Sequence, residues 1–149
     1  MLTLPIFLAM LALLLPSLRA VLAEPSDRNT HVLLATTLGV YAGWATAAVW
    51  LNAVTVAGHL GLEVSGASGT VVMAAGIAGA SVSACLGTRL LDAPPPYVLA
   101  TAWALLGVAL STSTEQQLLL AAIAGLGLLA VAAVAITTPR RNRQIAGTI

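Results

Sequence analysis

The sequence predicts an all-α, polytopic integral membrane protein of about five transmembrane helices, and three observations carry that prediction. Of its 149 residues, 59% are hydrophobic and only 7% are charged, whereas a soluble domain averages about 45–50% and about 25%. A chain so poor in charge cannot clothe a globular surface in water, and its mean hydropathy is correspondingly high at +0.99. The apolar residues also fall into five runs, most of them close to the ~20 residues that cross the hydrocarbon core as a helix. Finally, the runs are continuous rather than alternating, which excludes barrel strands. In lipid each span then has to satisfy its own backbone as a helix.

The spans are expected at residues 2–23, 31–57, 69–91, 97–110 and 117–138, forming one membrane domain with a short basic tail at 139–149. The first is rich in Leu and Ala and stops at Glu24-Pro25-Ser26-Asp27, where proline and short polar side chains favour a turn. It reads as a retained span rather than a cleaved leader. No basic residue precedes its apolar stretch, and Arg19 lies beside the small-residue sequence Val21-Leu22-Ala23 that cleavage would need. The second span runs into a Gly- and Ser-rich connection from Gly58 to Gly69. Pro94-Pro95-Pro96 stops the third and stiffens the link to the fourth. The fourth, the shortest, ends in Ser111-Thr112-Ser113-Thr114-Glu115-Gln116-Gln117, which offers Thr114 and Gln117 as a capping box for the fifth.

With five spans the connections alternate between sides. Arg19, Arg28, Arg89, Arg140, Arg141 and Arg143 all fall on one side, and Glu63 and Glu115 on the other. The excess of basic residues on cytoplasmic loops makes the arginine side cytoplasmic, with the amino terminus outside, in a cell membrane of the bacterial inner-membrane type. The net charge of +1 is too small for nucleic-acid binding. No ionisable residue lies in mid-membrane, which argues against ion-coupled transport.

The second span carries the most information. At 100° per residue, Thr37, Tyr41, Trp44, Ala48, Asn52, Thr55 and His59 share one sector of its circumference. An unpartnered amide in hydrocarbon costs several kcal/mol, so Asn52 is expected to bond to a neighbouring helix. The stripe is then either helix–helix glue or one wall of a ligand pocket. The opposite face carries Gly39, Gly43 and Ala47, small residues that let another backbone approach. On the third span Ala75, Gly79, Ser83 and Gly87 form a longer ridge of the same kind, and Cys85 among them reads as a small buried thiol. A single Cys excludes an intrachain disulfide and leaves the redox compartment open. His31 and His59 stand about 42 Å apart along one helix at 1.5 Å per residue. No metal site, nucleophile–base pair or phosphate-binding loop is legible, so no catalytic residue, metal or obligatory cofactor is expected.

The stretch from Tyr41 to Asn52 resembles the last core helix of the tryptophan-rich sensory protein/translocator protein (TspO/MBR) family. That helix has the form Tyr-x-x-Trp-x-x-x-Ala-x-x-Leu-Asn, matched here at Tyr41, Trp44, Ala48, Leu51 and Asn52. The first span is similar to the helix before it. Asp92, Tyr97 and Trp103-Ala-Leu-Leu-Gly107 are similar to later helices of the long bacterial forms. The chain thus looks like the carboxy-terminal part of those forms, over about residues 2–138, without the Pro-Pro-x-Trp and Asn-x-x-Trp motifs of the family's opening helices. The resemblance implies pocket-facing positions at Tyr41, Trp44 and Asn52 and a tetrapyrrole or sterol as ligand class. Two functions are therefore expected. One is a non-catalytic structural or accessory subunit packed against a larger membrane complex, holding lipid or pigment. The other is a sensory-type binder of a tetrapyrrole or other hydrophobic small molecule, working as a homo-oligomer. Membrane lipid is a partner in both, and nucleic acid in neither.

Overall fold

The computed structural model describes residues 2–23, 27–62, 66–114 and 117–139. The expected turn at Glu24-Pro25-Ser26, the acidic residues Glu63 and Glu115, and the basic tail from Arg140 onward lie outside the described residues. Five helices follow one another: α1 (Thr3–Ala23), α2 (Arg28–His59), α3 (Gly66–Leu90), α4 (Pro95–Thr114) and α5 (Leu118–Thr137). Each is long and apolar enough to cross a membrane.

The boundaries differ from the sequence expectation where local bonding shifts them. Asp27 caps α2, its carboxylate accepting from the Thr30 N–H at 3.3 Å, so the helix starts at Arg28. With 32 residues, α2 is about 48 Å long and overshoots the ~30 Å hydrocarbon core. Its ends, carrying Arg28 and His59, reach the polar interfaces. The fourth helix is extended in both directions to 20 residues. Pro95 and Pro96 sit in its first turn, where a missing N–H leaves no helical bond unmade. At the other end the hydroxyls that read as a stop instead bond back into the helix. Thr112 donates to the Val108 carbonyl and Ser113 to that of Leu110, both at 2.8 Å. The expected capping box is therefore corrected: Thr114 ends α4, and Gln117 itself takes the N-cap position of α5.

The turn from α3 into α4 is tight. Asp92 and Ala93 both adopt left-handed backbone, with φ of 58° and 54°. The Ala93 N–H closes the helix end on the Thr88 carbonyl at 2.7 Å. Asp tolerates this conformation, whereas Ala in it costs about 1–2 kcal/mol; the buried setting of Ala93 and the three prolines that follow hold it there.

Helix α2 is the hub, packing on α1, α3 and α4, while α3 and α4 each pack on α5. Thus α2, α3, α5 and α4 close a four-helix ring, and α1 lies against α2, with Leu18 reaching Leu91 and Tyr97. The ring is drawn together at small residues, as expected where helices associate by close contact rather than by expulsion from water. A Cβ on Gly39 would stand 2.9 Å from that of Pro96, and one on Gly43 would stand 2.7 Å from the Tyr97 carbonyl. On α3, Gly76 receives Val54 and Gly79 receives the ring of Trp50, and Gly127 of α5 fits against Ser81. Tyr97, the largest fully buried side chain, ends at Gly87, with its hydroxyl 3.2 Å from that of Thr46.

Candidate functional site

Helices α2 and α4 run in the same direction and touch through Gly39 and Gly43. On one side of this contact their larger side chains splay apart and leave a groove. Its first section, about 730 Å³, lies between Thr36, Val40, Tyr41 and Trp44 of α2 and Pro95, Pro96, Leu99 and Trp103 of α4. The second section, about 580 Å³, shares Trp44 and Trp103 with the first and continues to Asn52, Gly107, Ser111 and Thr112. Phe7 of α1 borders it, meeting Trp44 edge-on with ring centroids 5.3 Å apart. A smaller cavity of about 430 Å³ at the arginine end is lined by His31 and Asp92 and adjoins the first section at Thr36, Pro95 and Pro96.

The stripe predicted on α2 is divided by this arrangement. Tyr41 and Trp44 face the groove and remain 55% and 51% exposed, and Asn52 is half-buried at its far end. Thr37, Thr55 and His59 are exposed; the Thr55 hydroxyl donates to the Leu51 carbonyl of its own helix at 3.0 Å. The expected bond from Asn52 to a neighbouring helix is corrected in the same way, since its Nδ2 donates to the Ala48 carbonyl at 2.8 Å. A helix carbonyl has a second lone pair within reach of a short polar side chain four residues on, so one amide N–H is held within its own helix, and the second N–H and the Oδ1 keep their bonding capacity toward the groove. Helix–helix glue comes from elsewhere. Trp50 Nε1 donates to Ser83 Oγ at 2.9 Å, and Tyr97 pairs with Thr46.

The ridge on α3 is divided too. Gly79 lies under Trp50, Ser83 accepts its N–H and Gly87 abuts Tyr97, but Ala75 is exposed. A spacing of four residues advances 40° round the helix at each step, so the ridge drifts and its first member leaves the interface. The sequence reading missed Trp50, Tyr97 and Trp103 as site and packing residues. For Trp50 and Tyr97 a signal was there: a bulky aromatic that enters the bundle needs an opposing gap, and Gly79 and Gly87 of α3 supply it.

Chemically, the first section of the groove presents ring faces, proline rings and branched carbons, with the Tyr41 and Thr36 hydroxyls as its polar side chains. The second adds the Asn52 amide and the hydroxyls of Ser111 and Thr112. Each section by itself lies within the ~300–1,000 Å³ of small-molecule pockets and suits an apolar body. Among the described residues no group of three or more His, Cys, Asp or Glu side chains is placed to hold a metal ion.

The family model described as TSPO-like protein matches residues 2–135 of the chain. Comparison with curated proteins and with solved structures gives no match.

Proposed function

The chain belongs to the TSPO-like family, and from that membership and the groove we propose a non-catalytic membrane protein that holds a hydrophobic small molecule between α2 and α4. The observation that carries this reading is that Tyr41, Trp44 and Trp103 turn away from the helical core and share one open groove. Aromatic side chains offer large contact area at small conformational cost, and here all three keep half or more of their surface exposed, Trp44 also meeting Phe7 of α1. A tetrapyrrole is the ligand class that the resemblance suggests. No cofactor is required for folding on this reading.

A second reading, an accessory subunit of a larger membrane complex or a homo-oligomer, is favoured by the exposure of Trp103, which is 76% accessible. A partner helix laid along the groove would bury the same residues. The charge pattern supports an orientation with the arginine end cytoplasmic, and the resemblance to long bacterial forms suggests a bacterial inner membrane. Arg19 reaches the α3 end of the bundle beside Leu90 and Leu91, and Arg28 and Arg89 stand at the same end.

Purification from the native membrane in mild detergent, followed by solvent extraction and mass analysis, tests the two. The expected outcome is a hydrophobic small molecule at about one per chain, visible by its absorption if it is a tetrapyrrole, and absent from Trp103→Ala. An empty chain recovered only as part of a defined complex would select the subunit reading.

A further inference from the structure

From Thr36 to Asn52 the groove follows α2 for about 24 Å at 1.5 Å per residue, most of the ~30 Å depth of the hydrocarbon core. Both sections are open rather than enclosed, so the space is a groove along α2 and α4 and not a closed chamber. Its polarity is uneven. Beside Pro95, Leu99 and Val40 the walls are almost wholly apolar, with the Thr36 and Tyr41 hydroxyls as their polar side chains, and the far end adds the Asn52 amide and the Ser111 and Thr112 hydroxyls to the lining. Neither section is lined by Arg, Asp, Glu or His among the described residues. A charge at that depth is costly unless it is paired. The occupant is therefore uncharged where it lies in the groove.

We infer that the groove takes a long-chain, uncharged lipid with a single oxygen-bearing head of the prenylquinone kind, an assignment that rests on the small-molecule reading of this site. The head sits at the Asn52 end, where a quinone carbonyl accepts a hydrogen bond from the Asn52 N–H that its own helix does not use, beside Ser111 and Thr112. The chain runs past Trp44 and Trp103 toward Pro95, and enters sideways from the bilayer. A tetrapyrrole is a poorer fit, being a disc rather than a rod and bearing carboxylates that these walls do not neutralise. Gly107 gives the means to test this. It lines the second section, and a Cβ built on it meets nothing within 4 Å, so a side chain can start there without a clash and project into the groove.

The full chain in detergent micelles is titrated with three probes while tryptophan emission is followed: a quinone bearing a geranylgeranyl chain, the same quinone without the chain, and protoporphyrin. Saturable quenching is expected with the prenylquinone, and only linear collisional quenching with the chainless ring. Gly107→Phe is expected to weaken the saturable phase at least tenfold with unchanged thermal unfolding. Asn52→Leu, which removes the head's partner, weakens it about five- to tenfold. Saturation that Gly107→Phe or Asn52→Leu leaves unchanged overturns the assignment. Saturation by protoporphyrin alone, sensitive to Gly107→Phe, overturns the uncharged rod but keeps the groove as a small-molecule site. Saturation by neither overturns both.

Discussion

Tyr97 enters the core from the start of α4 and ends against Gly87, where a Cβ would collide with the phenol oxygen. That glycine is therefore a space, and filling it displaces the side chain that joins α4 to α2 through Thr46. Gly87→Ala is expected to destabilise the protein by about 1–3 kcal/mol, the range for overpacking. Gly107→Ala, facing open space inside α4, should not destabilise and gains up to about 1 kcal/mol of helix propensity; denaturant unfolding of both variants in one detergent checks the difference. The contrast also shows what single residues disclose in a sequence. Spacing marks Gly79, Ser83 and Gly87 as small and on nearly one face, but it does not say that Trp50 and Tyr97 arrive there, because the neighbour comes from another helix. Asn52 was legible as a polar residue in lipid and misleading as to its partner. Its own helix takes one of its N–H groups, and periodicity carries no information about that local competition.

At the scale of the helix, type and number follow from hydrophobic runs, and the ends follow from chemistry that the runs do not contain. Proline begins α4 as readily as it ends α3, and the hydroxyls after Leu110 are satisfied within the helix by bonding back to it, so they do not end it. A polar run in a membrane protein is thus a weaker stop than the same run in water. Helix α1 is the least tied of the five: it lies against α2, and Leu18 is its one buried residue. Its anchoring should accordingly be concentrated there. Leu18→Ala is expected to cost about 2 kcal/mol, the low end of the 2–5 kcal/mol seen in soluble cores, because a side chain leaving the core for lipid forfeits packing but no transfer from water. Leu13→Ala on the face that is 71% exposed should change stability by less than about 0.5 kcal/mol. Equal effects at the two positions, measured by unfolding in micelles, would mean that α1 has further partners.

For the whole molecule, an odd number of spans puts the two ends of the bundle to different use. The ends of α1 and α3 and the start of α2 gather Arg19, Arg89 and Arg28 at one end, and the groove's polar residues Asn52, Ser111 and Thr112 lie toward the other. Orientation therefore decides from which leaflet a lipid with its head at Asn52 enters. If the arginine end is cytoplasmic, the head belongs to the outer leaflet and the chain descends toward the triproline turn. Impermeant maleimide labelling in a Cys85→Ala background measures this directly. Leu60→Cys, on an exposed turn after α2, is expected to label in intact cells, and Asn29→Cys, exposed at the start of α2, only after the membrane is permeabilised. The opposite pattern would invert the molecule and assign the groove's polar end to the inner leaflet. Labelling of both positions from outside would contradict a membrane-spanning α2, because its 32 residues separate the two sites by more than the hydrocarbon thickness.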